Sequence, residues 1–327
     1  MSRPVYKRGL FTTSLVCATS RLRGESVSVR ESAWQGAQRR KRDRPKDPPS
    51  SNGDQRTTTM KKDSSFENAI KLESRPQLKL PIVFAAWPGM GNVALNAARY
   101  LVEKLGAAPL ARIEASEFAS AEGVRIRNHI VLPVEVPEYR FYYWKHPEKI
   151  GDLIIFVGDH QPFLPRGYAM ARLVLKLANW FGARRIYSAA ALACSISHMD
   201  SPRVWAVATH SEILAELKDL PIQLLSEGHI SGLNGLILGV GKQMGFEGVC
   251  LLGELPYYTV GTDNPKSSLA VLEQLCTLWR IRVDFSELRE ASIRKEIEIE
   301  EFIRAGNERL MVEELVKKGS TEGETPQ

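Results

Sequence analysis

The sequence predicts an α/β protein of three layers, α/β/α, with a mostly parallel central sheet. Three observations point there. Short, continuously apolar runs recur from about residue 80 onward, as strands buried on both faces require. Segments with apolar residues every three or four positions alternate with those runs. Glycine, proline and asparagine mark the junctions.

The first run, Ile82 to Ala86, is stopped by Trp87-Pro88-Gly89, because proline cannot donate to a sheet ladder. Gly89 and Gly91 give backbone freedom for a tight loop, and Asn92 stands where it would cap the next helix. Val93, Leu95, Ala97, Ala98, Leu101, Val102 and Leu105 fall mostly on one face of that helix. Gly106 ends it, and Pro109 to Ala115 reads as a second strand. Val124 to Val136 and the aromatic stretch Glu138 to Trp144, split by Pro137, read as a β-hairpin or insertion. Asp152 to Val157 is another buried parallel strand, and Tyr168 to Phe181 is a helix closed by Gly182. Arg185 to Ala191 and Val204 to Thr209 are strands, and Ser211 caps a short helix through Leu217. Gly248 to Leu252 is a strand ending at Gly253-Glu254. Asn264 followed by Pro265 is the expected cap-then-proline start of a helix to Trp279. Asp284 with Glu287 has the spacing of a capping box for a last helix to about Val316. That helix carries Leu288, Ile293, Ile297, Ile299, Phe302 and Ile303 among dense charges, which suits packing on its own sheet or contact with another chain.

Charge and cysteine usage exclude several classes. The net charge of +6 invites a nucleic-acid reading, but residues 1–60 carry 13 Lys and Arg against 5 Asp and Glu, while residues 61–327 carry 31 against 33. The basic surplus therefore belongs to an amino-terminal arm, and the folded part exerts no overall pull on phosphates. The arm, residues 1–79, is charged, proline-rich around Asp47-Pro48-Pro49, and expected to be disordered. Three readings of it stand side by side: a targeting peptide, a basic tail, or a start of translation at Met60. A single α/β domain is expected over 80–318 and a disordered tail over 319–327. Cys17, Cys194, Cys250 and Cys276 are scattered without a CxxC, so a zinc ribbon is not indicated. The six histidines show no metal-ligand spacing, and no run of 18 apolar residues would span a membrane.

Several stretches invite chemistry. Gly89-Met90-Gly91-Asn92-Val93-Ala94 fits G-x-G-x-x-A between strand and helix, where backbone amides receive a pyrophosphate. Glu114 stands where a ribose-binding acid is sought. The competing reading is a tight turn whose glycines allow close packing. Gly158-Asp159-His160-Gln161-Pro162 places an acid and an imidazole at a strand's carboxyl end, either as a base with its orienting acid or as a plain turn. Ser231-Gly232-Leu233-Asn234-Gly235 is a second glycine-rich helix start, and Glu254 closes a later strand. Cys194, Ser195, Ser197, His198 and Asp200 read as a polar loop, because no G-x-S-x-G elbow exposes Ser195.

Several of these stretches together resemble the proteasome assembly chaperone 2 family. They are Trp87 to Asn92 with Tyr100-Leu101, Pro202 to Thr209, Ile230 to Gly235, Cys250 to Glu254 and Val283 to Leu288, in order over about residues 80–305. The resemblance implies an α/β/α domain similar to nucleoside phosphorylases, self-association, and kinship with chaperones that help build proteasome rings. It transfers no catalytic residue. Chaperone members tied to proteasomes often end in a hydrophobic-Tyr-x motif, whereas this chain ends Glu324-Thr325-Pro326-Gln327.

The resulting expectation is a non-catalytic, cytoplasmic, protein-binding or assembly-chaperone-like protein that acts as a homo-oligomer. Its partners would be itself and other chains such as proteasome-like subunits, with no cofactor, metal, nucleic acid or membrane. The alternative is a nucleoside, nucleotide or phosphate enzyme or sensor. Its crevice would be formed by Trp87, Gly89, Met90, Gly91, Asn92, Asp159, His160, Ser231, Gly232, Asn234, Gly235 and Glu254.

Overall fold

The computed structural model describes residues 69–114, 118, 124–133, 136–163 and 165–321, with side chains through 309. Most of the expected arm and tail, residues 1–68 and 322–327, lies outside the described residues. Eleven strands are described: β1 (Ile70–Leu72), β2 (Ile82–Ala86), β3 (Ala108–Ile113), β4 (Ile126–Arg127), β5 (Ile130–Val131), β6 (Tyr139–Trp144), β7 (Leu153–Gly158), β8 (Arg185–Cys194), β9 (Val204–Ala208), β10 (Gln223–Leu224) and β11 (Glu247–Pro256). The α-helices are α1 (Val93–Lys104), α2 (Gly167–Trp180), α3 (Leu233–Gln243), α4 (Pro265–Trp279) and α5 (Ser286–Thr321). None of the described helices is long and apolar enough to cross a membrane.

The side-chain period of two in β2 sets the layers. Val83, Ala85 and Trp87 point to one face with Ile154 and Phe156 of β7, where Met170, Val174 and Ile237 of α2 and α3 cover them. Phe84 and Ala86 point to the other face with Leu153 and Ile155, under Val93, Ala97 and Leu101 of α1 and Val271, Leu272 and Leu275 of α4. Three α/β/α layers result. Cys250 and Cys276 lie in these cores, and burial pushes both thiols up to about 12, which leaves them unreactive near neutral pH.

The sheet is not mostly parallel. Its order is β1-β3-β6-β7-β2-β8-β11-β9-β10. The central strands β7, β2, β8 and β11 are parallel, while β6, β3 and β1 on one flank and β9 on the other join antiparallel. The cause is connection length. The short link from β6 to β7 contains no described helix, and without a crossover a neighbour can only return antiparallel. The Glu138–Trp144 run is thus a sheet strand, and the hairpin is the smaller β4–β5 pair. Its Asn128-His129 turn has both φ angles positive, the hand that matches strand twist. At the near edge, β1 pairs with β3 upstream of the domain start expected at 80.

Helix ends follow and depart from the sequence reading. The Asn264 side chain accepts from Ser267 N–H with Pro265 at the first turn, as read. Asn92 does not cap α1: its backbone is left-handed and its side chain donates to Asp263 Oδ1 (2.6 Å). Asp284 Oδ1 accepts from Ser286 N–H (2.9 Å), but Glu287 turns to Lys104 (2.6 Å) instead of closing a capping box. The α5 helix has 36 residues, about 54 Å at the usual rise. Leu288 and Ser292 are buried, while Ile293, Ile297 and Phe302 face solvent.

Trp87 is fully buried, its ring 4.8 Å from that of Phe156. Gly158 makes the space: a Cβ there would lie 2.5 Å from Trp87 Cδ1. Gly158→Ala should therefore overpack this point and cost about 1–3 kcal/mol, read as a lower urea midpoint with an unchanged slope.

Candidate functional site

Three loops meet at the carboxyl edge of the parallel strands: Trp87 to Asn92 after β2, Asp159 to Phe163 after β7, and Ile230 to Gly232 before α3. Two side-chain amides join them. Trp87 N–H donates to Asn234 Oδ1 (2.9 Å), and Asn234 Nδ2 donates to the Trp87 carbonyl (3.0 Å). The Asn234 amide thus serves Trp87 as one more strand residue would. Gln161 Nε2 donates to the Pro88 carbonyl (2.6 Å), and Leu233 N–H donates to Gln161 Oε1 (3.1 Å). Gly232, at φ +74, opens α3, where a Cβ would approach Gln161 Nε2 to 3.2 Å.

The remaining fingerprint residues turn toward another partner. Gly91, at φ +61, lets the chain bend against Leu255 and Asn264. Its N–H donates to the Val260 carbonyl (3.3 Å), and its carbonyl accepts from Asn264 N–H (2.8 Å). Asn92 N–H donates to the Gly89 carbonyl (3.0 Å). Two amides that would receive a pyrophosphate are therefore bonded within the protein. Glu114 is no ribose partner: β6 and β7 separate its strand from β2, about 14 Å at ordinary strand spacing, and it pairs with Lys71 (2.5 Å).

The other candidates occupy different places. Asp159 accepts from Arg99 Nη2 (2.8 Å) and Glu138 N–H (3.3 Å). His160 and Ser231 are exposed and make no hydrogen bond with the described residues, so Asp159 does not orient the imidazole. Gly235 tightens the first turn of α3, since a Cβ there would fall 2.2 Å from the Ile230 carbonyl. Glu254 lies two strands from β2, almost wholly buried, and accepts from Arg203 N–H (3.1 Å), Arg203 Nη2 (2.8 Å) and Trp205 Nε1 (2.9 Å). Burial raises its pKa, but the Arg203 and Trp205 donors outweigh that and hold the carboxyl below the usual range.

Beside the exposed polar residues His160 and Ser231, this edge offers large apolar side chains to solvent. Met90, Met199, Tyr257, Tyr258 and Val260 are exposed. They sit on bonded neighbours: Val260 O holds Gly91, and Tyr258 Oη accepts from His198 N–H (2.8 Å) beside Met199. Sequence reading named Met90 only as part of the glycine loop and passed over Met199, Tyr257, Tyr258 and Val260, because isolated exposed methionines and tyrosines carry no periodic signal. Gln161 was read within the Gly158 to Pro162 strand end but was given no role of its own.

Fold and site together define a three-layer α/β/α protein with an internally bonded carboxyl edge and an apolar rim. The PAC2 family pattern matches residues 83–303, and the chain belongs to the PAC2 family. An uncharacterized protein of Methanocaldococcus jannaschii is 26% identical over 242 residues, 73% of this chain and 90% of that protein. Pyrococcus furiosus PbaB, an archaeal proteasome activator, superposes with a TM-score of 0.61 at 29% identity, covering 73% of this chain and 98% of that one. Pyrococcus furiosus PbaA, an archaeal homolog of proteasome-assembly chaperone, shares the fold at TM-score 0.55 and 22% identity, covering 73% and 99%.

Three variants check the site. Asn234→Ala strands the buried N–H and C=O of Trp87, so it should cost about 1–3 kcal/mol for each group left unpaired, measured by denaturant unfolding. Asn234→Asp, which keeps the acceptor and loses the donor, should also destabilise at neutral pH. For Glu254, the depressed folded-state pKa means stability is present above the ordinary carboxylate range and lost as pH falls through the folded value. The gap in melting temperature between wild type and Glu254→Gln should therefore be largest near neutrality and shrink in acid.

Proposed function

We propose that this chain is a non-catalytic, protein-binding protein of the assembly-chaperone kind, cytoplasmic and homo-oligomeric, whose partners are proteasome-like subunits. The observation that carries this is the carboxyl edge. Asn234, Gln161 and the Gly91 and Asn92 amides are bonded within the protein, His160 and Ser231 are the exposed polar candidates left, and large exposed apolar residues stand beside them: Met90, Met199, Tyr257, Tyr258 and Val260. Exposed large apolar side chains at one edge are what a protein partner desolvates. Solved relatives of this fold are described as a proteasome activator and as a proteasome-assembly chaperone homolog, which supports the choice of partner.

Self-association is supported by two further surfaces. The β4–β5 hairpin exposes Ile126, Ile130 and Val131, and a two-stranded ribbon is marginal in water unless something packs on it. The α5 helix exposes Ile293 and Ile297 one turn apart. The other reading, a nucleoside- or nucleotide-directed enzyme or sensor on a nucleoside-phosphorylase-like fold, draws support only from the glycine spacing.

Co-sedimentation of the full chain with purified proteasome ring subunits tests the proposal. Wild type should bind. Met199→Asp combined with Val260→Asp should weaken binding at least about tenfold, since each change puts a charge into a desolvated contact. Absence of wild-type binding, or equal binding by the double variant, would overturn it. Light scattering should separately give a mass above that of one chain, reduced in Ile126→Asp.

A further inference from the structure

The opposite edge, where the parallel strands begin, carries a groove that the rim does not explain. Leu80, Ile150, Leu278, Trp279, Arg280 and Ile281 are among the walls of a basin of about 420 Å³. Arg280 and Ile281 also line an adjoining open depression of about 640 Å³, together with Arg282 and Phe285. The two share walls and make one elongated channel.

Positive φ angles gather here, at Arg280 as the left-handed cap of α4, at Lys149 after a tight turn, and at Leu80 with no such cause. Leu80 (φ 43), Lys149 (φ 57) and Arg280 (φ 55) all adopt left-handed backbone. The other described non-glycine residues that do so are Asn92 and the Asn128-His129 hairpin turn. Asparagine and turn residues tolerate this region; a leucine preceding proline does not. Leu80 is held there from both sides. Lys79 N–H donates to Asp152 Oδ2 (2.6 Å), Asp152 N–H donates to the Lys79 carbonyl (2.9 Å), and Ile82 N–H donates to the Asp152 carbonyl (2.9 Å). The clamp presents the leucine side chain to water, 71% exposed, with Ile150 at 43%. Strain maintained by surrounding bonds to expose an apolar side chain is a mark of a functional surface.

Charge along the channel is unbalanced. Arg185 is neutralised by Glu216 (2.5 Å) and Glu247, and Arg289 by Glu273 (2.5 Å). Arg184 bonds the neutral Asn179 amide. Arg280 and Arg282 make no side-chain hydrogen bond or ion pair with the described residues, and Glu148 is the lining carboxylate without a cation. Three guanidinium groups thus stand against one free carboxylate.

We propose that this channel is a docking groove for an acidic segment of another protein. A bulky apolar side chain of the segment seats against Leu80 and Ile150, and its carboxylates pair with Arg184, Arg280 and Arg282. Guanidinium forks match carboxylates bidentately, and a projecting apolar knob in an open channel suits an extended chain better than an enclosed small molecule. This surface is distinct from the carboxyl-edge rim, so each proposal stands or falls separately.

Panning a phage-displayed random peptide library on the full chain tests this. Enriched peptides should combine Asp or Glu with a large apolar residue. Their affinity, read by fluorescence anisotropy, should fall about tenfold in Leu80→Ser and in the pair Arg280→Glu and Arg282→Glu. Higher ionic strength should weaken binding to wild type. The changed side chains are solvent-facing, so a near-native melting temperature for the variants separates lost docking from lost folding. No enrichment, enriched peptides without acidic residues, or equal affinity for the variants would overturn the proposal. So would a change of oligomeric mass in the variants, which would make a second copy of this chain the occupant.

Discussion

Two hydrogen bonds between the Asn234 amide and the Trp87 backbone hold the carboxyl edge together. They connect buried groups 147 residues apart in sequence, just after β2 and on α3. Everything near them follows from satisfying the Trp87 peptide. The indole can then continue the inward alternation of β2 under Phe156. Gly158 must lack a Cβ, and Gln161 can reach both Pro88 and Leu233. A buried peptide without partners would cost more than most single contacts contribute, so the clasp constrains all three loops at once.

The same constraint shapes function. A phosphate or nucleoside site at a strand-to-helix turn needs free amides and a cavity. Here the turn at Gly91 is docked on Val260 and Asn264, and the amides of Asn234 and Gln161 are spent on backbone. What remains for a partner is the apolar rim on one edge of the sheet and the strained, cationic channel on the other. Both are proposed here as surfaces for protein chains.

Much of the fold was legible in the sequence because its signals are local. The continuous apolar runs of β2, β7, β8 and β11 and the Asn264-Pro265 cap are each decided within a few residues. Strand direction was not. β6 was read as part of a hairpin or insertion and β9 simply as a strand, and only the length of their connections and the neighbour they find place them antiparallel in the main sheet. The site was legible as a set of residues and not as a set of roles. Asn234 and Gly232 stood out, but a glycine-rich helix start reads the same whether its amide holds a ligand or a distant strand. Asn92 was read as a cap from its position, yet its bond runs to Asp263, 171 residues on. Glu254 was grouped with the glycines, whereas Arg203 and Trp205 claim it.

The most direct test of the central claim, that the carboxyl-edge loops are bonded to themselves and serve protein contacts, is a thermal-shift screen of the full chain. The compounds would be phosphate, nucleosides, nucleotides and nicotinamide cofactors. A specific ligand at about 100 times its Kd adds about 2.7 kcal/mol and raises Tm visibly. The account predicts an unchanged Tm with every one of them. A reproducible rise that Gly232→Val abolishes, in a variant that still folds, would contradict it and return the loops to small-molecule chemistry.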